Sequence, residues 1–325
     1  MILSKNKIFA IVGNDLSELE DSMIAVVQSP VELITEIGTH LVEAGGKRLR
    51  PALFFLAAHC KDFKRDTVLP LAVSIELIHM ATLVHDDVID NADTRRGVAT
   101  ANAKWGNQLS ILSGDYLFAK AFSLVATNKY GDRVMGILSD IICDLSEGEI
   151  IQNKETFKAS DNKAEYYERI AKKTANFIAA SCELGGIVAG MSKDECKALW
   201  EYGYSIGMAF QITDDILDIT ATSQQIGKPA GNDILQGIVT LPVIHALSVS
   251  PDAEELRKIV ATRDMTPEML SRGLSIVHDT DAIEYSYRKV SEYLEQARMV
   301  LPESVPQEIR QSFCCIADFI AMREF

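Results

Sequence analysis

The chain has 325 residues, 47% hydrophobic and 24% charged, and 32 Lys and Arg against 46 Asp and Glu leave a net charge of −14. That is ordinary globular composition with material for a large core, and it excludes a disordered or collagen-like chain. A protein so acidic lacks the basic surface that broad nucleic-acid binding needs, whereas clustered acids suit divalent cations.

The first twelve residues carry Lys5 and Lys7 inside an apolar stretch and lack the apolar core and cleavage site of a signal peptide. No stretch holds the roughly 20 uninterrupted apolar residues of a membrane span. Cys60, Cys143, Cys182, Cys196, Cys314 and Cys315 show no C-x-x-C spacing. Free thiols in a cytoplasmic protein are therefore expected rather than disulfides or zinc. Apolar residues recur at helical steps over 69–89, 111–127, 134–152, 164–190, 194–219 and 283–300. Breakers separate these runs, at Gly45-Gly46, Asn91 to Asp93, Gly97, Asn128 to Gly131, Ser160-Asp161, Gly227 to Gly231 and Pro251. Ser192 followed by Glu195 reads as a capping box. No run alternates strictly enough to predict a strand. The expectation is one all-α domain over residues 1–325.

The sharpest feature is Asp86-Asp87-Val88-Ile89-Asp90, near the end of an apolar helix. Residues four apart are separated by about 40° around a helix, so Asp86 and Asp90 share a face, with Asp87 to the side. Carboxylates so close repel each other unless a cation lies between them. Hard oxygen donors without a thiol suit Mg2+ shared with the oxygens of a substrate phosphate. The pattern returns as Asp214-Asp215-Ile216-Leu217-Asp218. Two such runs inside apolar helices are poorly explained as a solvated acidic face.

Basic residues accompany the acids. Gly45-Gly46-Lys47-Arg48-Leu49-Arg50-Pro51 sets three cations beside a glycine pair, before a helix that Pro51 can open. Arg95-Arg96-Gly97 follows the first acidic run in a turn. Donor-rich backbone, a helix N-terminus and forked guanidinium groups suit a diphosphate. His79, two turns before Asp86 on the same face, is a candidate for ligand contact, and His85 is read as structural. Lys173-Thr174, Gln211 and Lys228, the last in a flexible Gly-rich loop, complete the candidates.

Taken in order, G-G-K-R-L-R-P, H-D-D-V-I-D-N-A-D-T-R-R-G, K-K-T, F-Q-I-T-D-D-I-L-D and G-K-P-A-G-N-D resemble the trans-isoprenyl diphosphate synthases. The likeness covers nearly the whole chain and is strongest to long-chain members of the heptaprenyl and octaprenyl type. It implies an antiparallel helical bundle around a deep central cavity, the isoprenoid synthase fold. Asp86, Asp87, Asp90, Asp214 and Asp218 would hold Mg2+ on an allylic diphosphate, with Asp215 and Lys173 in the same catalytic set. Arg95, Lys173, Thr174, Gln211 and Lys228 would grip that diphosphate. Lys47, Arg50, His79 and Arg96 would bind isopentenyl diphosphate. The family also implies a homodimer, or a heterodimer with a small regulatory subunit, and a product delivered to membranes for quinone side chains.

Many relatives carry a second lysine in the G-K-x-T-L-P run, where this chain has Gly237-Ile238-Val239-Thr240. Ile238 cannot pair with a phosphate. A class I terpene cyclase shares the first aspartate run, but its second metal site reads N-D-x-x-S-x-x-x-E. Lys47, Arg50 and Arg96 would have no role there.

Large aromatics four or five residues before Asp86 block the tunnel of short-chain relatives, whereas here Thr82 and Ala81 are small. Each extra methylene buried beyond them favours extension by about 0.8 kcal/mol, which leads to an expected product of about seven or eight isoprene units. Phe118, Phe122, Ile137 and Ile141 are candidates for a deeper floor.

Overall fold

A computed structural model describes residues 11–220 and 230–322. Lys228 lies outside the described residues. The helices, in order, are α1 (Gly13–Val26), α2 (Glu32–Glu43), α3 (Leu49–Ala58) and α4 (Arg65–Ile89). After a hairpin of β1 (Thr94–Arg95) and β2 (Val98–Ala99) come α5 (Ala101–Trp105), α6 (Asn107–Thr127) and α7 (Asp132–Glu155). Next are α8 (Lys163–Ile170), a π-helical turn (Ala171–Ala175), α9 (Asn176–Val188) and α10 (Lys193–Thr220). The last are α11 (Asn232–Leu235), α12 (Leu241–Val249), α13 (Ala253–Val260), α14 (Pro267–His278), α15 (Ala282–Val300) and α16 (Gln307–Ala321).

The described residues gather into two compact units. Residues 11–142, 180–200 and 302–313 form the first, and 143–179, 201–220, 230–301 and 314–322 the second. In the first unit α4 is the central element, packed against α1, α3, α5 and α6. Residues 71–78 are buried on every side. Each large aliphatic side chain among them stabilises the fold by about 1.5–3 kcal/mol. By length and apolarity α4 and α6 could each cross a membrane, yet 67% of the most apolar stretch of α4 is buried within the protein. Glu76 and His79 break its apolar run, which is why the sequence shows no uninterrupted span.

α6 runs antiparallel to α4. His85 Nε2 meets the Ile111 carbonyl at 3.1 Å, and eleven residues earlier Ser74 Oγ donates to the Ala121 carbonyl at 3.1 Å. A Cβ on Gly114 would lie 2.2 Å from His85 Nε2, so that glycine lets the two helices close. His85 is thus a packing residue, as its position suggests.

Local chemistry sets several boundaries. Ser192 N–H donates to Glu195 Oε2 at 2.7 Å and Glu195 N–H donates to Ser192 Oγ at 3.3 Å. The expected capping box is formed, and the helix it opens continues to Thr220. Pro51 is the third residue of α3 rather than the first, because Arg48 in the left-handed region (φ 48°) starts the helix two residues earlier. The hairpin was not legible, since two-residue strands leave no alternation to read. Its turn, Arg96-Gly97, has φ of 56° and 79°, the mirror-image geometry that tight hairpins prefer. The single helix expected over 164–190 is broken by the π turn at Ala171–Ala175.

Candidate active site

Both aspartate runs fall in the last turns of their helices. Asp86 and Asp87 precede the C-cap Asp90 of α4, and Asp214, Asp215 and Asp218 precede Thr220 at the end of α10. A helix C-terminus carries partial negative charge, so acids there are unfavourable by themselves and attract cations. Asp86 is half-buried and Asp90 exposed, one turn apart, and Asp214 and Asp218 are both half-buried with the same spacing. Among the described residues no three acids, histidines or cysteines close into a cage. Pairs of hard oxygen donors open on one side fit Mg2+, which keeps water and substrate oxygens in its shell.

The middle aspartates are held differently. Asp87 is buried and accepts from Arg95 Nε at 2.7 Å. Asp215 is 4% exposed and accepts from the Tyr166 hydroxyl at 2.7 Å and from Gln211 Nε2 at 2.9 Å. Burial pushes the Asp215 carboxyl above the ordinary carboxylate range, and those two hydrogen bonds only partly offset it. Sequence spacing sets the middle aspartate to the side of the other two but does not say that it is buried. The structure turns the middle one inward.

The first unit contains a pocket of about 530 Å³, counting its open mouth, lined by His79, Asp87, Arg95 and Arg96 with Arg48, Glu76 and the apolar Met80, Leu83 and Val98. The hairpin supplies its lip. His40 Nε2 meets the Ala99 carbonyl at 2.9 Å and Arg96 donates to the Gly45 carbonyl. Behind the wall, Arg50 Nη1 donates to His79 Nε2 at 3.2 Å. Arginine has no acceptor, so His79 accepts there and carries its proton on Nδ1. Burial, then the charges of Arg50, Arg96, Arg95 and Arg48, push the His79 pKa well down, which makes it neutral at pH 7. Lys47 is exposed beside this group and lies outside the pocket lining. The pocket is a cationic recess with one greasy wall.

In the second unit, the π turn presents Lys173 and Thr174. Lys173 Nζ pairs with Glu149 on α7 at 2.5 Å, and Thr174 Oγ1 donates to Gln211 Oε1 at 2.8 Å. Gln211 thus links Thr174 to Asp215 one turn further along α10. After the second run the chain returns to it, where Asp233 N–H donates to Asp218 Oδ2 at 3.0 Å. Glu76, Glu149 and Tyr166 are site residues that sequence reasoning missed, and Arg48, visible there as one of three cations in its motif, was not distinguished from the other two. Of the missed residues only Glu76, a lone acid inside an apolar helix, left a readable signal.

The polyprenyl synthetase family profile matches residues 31–277. The chain belongs to the polyprenyl synthetase family. It is similar to heptaprenyl diphosphate synthase component 2 of Geobacillus stearothermophilus, with 40% identity over 98% of each chain. A solved decaprenyl diphosphate synthase from Rhodobacter capsulatus is 34% identical over 98% of this chain and 99% of that one, with a TM-score of 0.92. A polyprenyl synthase from Caulobacter crescentus, solved with calcium and isoprenyl diphosphate, is 32% identical over 98% of each chain, with a TM-score of 0.90. This polyprenyl synthetase is therefore a prenyltransferase with the all-α isoprenoid synthase fold.

Proposed function

We propose that the chain is a long-chain all-trans-polyprenyl diphosphate synthase. It would extend farnesyl or geranyl diphosphate with isopentenyl diphosphate to about seven or eight isoprene units, for quinone side chains. The observation that carries the reading is the pair of aspartate runs, each ending a helix with two carboxylates on one face. The calcium and isoprenyl diphosphate bound by the Caulobacter relative support it. We take residues 1–325 as a single synthase domain with a substrate cavity, acting in the cytoplasm. We read the enzyme as a homodimer, with a small regulatory subunit as the other arrangement. Ile111 and Leu112 on α6 are 45% and 56% exposed, which supports a further copy on that helix.

Asp86, Asp90, Asp214 and Asp218 would hold Mg2+, which when bound supplies positive charge at the diphosphate oxygens. The remaining steps belong to the chain. Lys47, Arg50, Arg96 and the neutral His79 are assigned to isopentenyl diphosphate, Arg96 and His79 from the pocket lining and Arg50 through its bond to His79, and Met80, Leu83 and Val98 keep water from its alkene. The allylic C–O bond breaks, the alkene attacks that carbon, and a proton leaves to restore a double bond. Charge accumulates on the departing oxygens, so donors fixed in advance near them lower the barrier most. Arg95, Lys173, Thr174 and Gln211 are assigned that task, and the resemblance adds Lys228, which lies outside the described residues. The released diphosphate accepts the proton, and no protein nucleophile is needed.

Purified protein given labelled isopentenyl diphosphate, farnesyl diphosphate and Mg2+ is expected to yield a product ladder that chelation by EDTA abolishes. Products are sized by chromatography. Incorporation that persists in EDTA contradicts the reading, and elongation only after adding a separate small subunit would replace the homodimer with the heteromer.

A further inference from the structure

Glu76 is 3% exposed in the most apolar part of α4, where an unpaired carboxylate is costly. Its partner is Arg48, 8% exposed, which donates Nη1 to Glu76 Oε1 at 2.7 Å. The rest of that guanidinium is also used inside the protein. Nη2 donates to the Val42 carbonyl at 3.1 Å and Nε to Glu20 at 3.3 Å. Arg48 pays for this with a left-handed backbone, φ 48°, which a non-glycine residue keeps only when its surroundings over-determine it.

We infer, resting on the isopentenyl diphosphate reading above, that Glu76 and Arg48, although both reach the pocket lining, are positioning residues: Arg48 directs its Nε, Nη1 and Nη2 donors to protein partners and so shapes this subsite rather than ligating the diphosphate. The geometry makes two rungs between neighbouring elements. Arg48 to Glu76 is one, and Arg50 to His79, two residues on in one strand of the pair and three in the other, is the second. Locking the first rung fixes where α3 begins and therefore where Arg50 and the imidazole meet. It also fixes the Gly45 carbonyl that Arg96 grips. The Glu76 charge acts on the same groups: burial, only partly offset by Glu76 and joined by the charge of Arg96, leaves Arg50 lowered to about 10. Of three cations that look alike in the motif, Arg48 is the one turned inward.

The test is steady-state kinetics on the full-length enzyme with each substrate varied in turn. Glu76→Gln is expected to raise KM for isopentenyl diphosphate by about tenfold, with KM for the allylic diphosphate within about twofold of wild type. Arg48→Lys, which keeps the charge but loses the fork, is expected to do the same. If Glu76→Gln fails to fold, Arg48→Met combined with Glu76→Met replaces the pair by apolar groups of similar length and is expected to fold with the same raised KM. Were Arg48 a diphosphate ligand, Glu76→Gln would release it and lower that KM, overturning the inference. Equal shifts in both KM values, or none, overturn it too. Wild-type protein that incorporates no isopentenyl diphosphate would instead defeat the functional reading.

Discussion

Alanine in place of Gly207 is expected to cut kcat about a hundredfold although the residue touches no substrate, since displacing a site group by roughly an ångström has that effect. Gly207 lies inside α10, one turn before Gln211, and a Cβ there would come within 2.5 Å of the Ala175 Cα. Backbone cannot step aside as a flexible side chain can. Replacing glycine by alanine in a helix interior usually stabilises by about 0.5–1 kcal/mol. Here the clash reverses the sign, and overpacking of this kind costs about 1–3 kcal/mol. The strain falls on the π turn, whose Thr174 bonds Gln211 at 2.8 Å. On its other side Gly148 makes room for Lys173, where a Cβ would lie 2.7 Å from its Cγ. π turns occur mostly as single interruptions of α-helices and often at functional sites. Thermal melting would establish that the variant is folded. A folded variant with wild-type kcat would contradict this assignment.

Phenylalanine at position 81 is expected to shorten the product sharply, read as chain length by chromatography. Ala81 is fully buried. It shares with Ser74 and His85 the side of α4 that faces α6, since positions seven and eleven apart on a helix nearly coincide around its axis. A larger side chain there has no free space to enter and presses the two helices apart. Losing room for one isoprene unit removes the burial of five carbons, about 4 kcal/mol at ~0.8 kcal/mol each, enough to stop elongation early. Destabilisation of about 1–3 kcal/mol is expected alongside. Thr82→Phe, at a half-buried position, serves as the milder variant. Full-length product from both folded variants would remove these positions from chain-length control.

Much of this molecule is legible in its sequence because the signals are periodic or paired. α4, α6, α7, α10 and α15 follow from apolar spacing, and the start of α10 from Ser192 and Glu195 alone. The aspartate runs stand out because acids interrupt apolar helices. What could not be read depends on backbone conformations that carry no composition. A left-handed Arg48 decides that one cation of three points inward. A π turn redirects Lys173 and Thr174, and nothing in Ala171–Ala175 announces it. The different environments of Asp87 and Asp215 arise from Arg95, Tyr166 and Gln211, groups contributed by other turns or other elements.

The account is tested most directly by calorimetric titration of the protein with an unreactive thio-analogue of farnesyl diphosphate, with and without Mg2+. Wild-type protein should bind the analogue only when the metal is present, and Asp86→Ala and Asp214→Ala should each abolish that heat. Equal binding in EDTA, or undiminished metal-dependent binding by both variants, would contradict it.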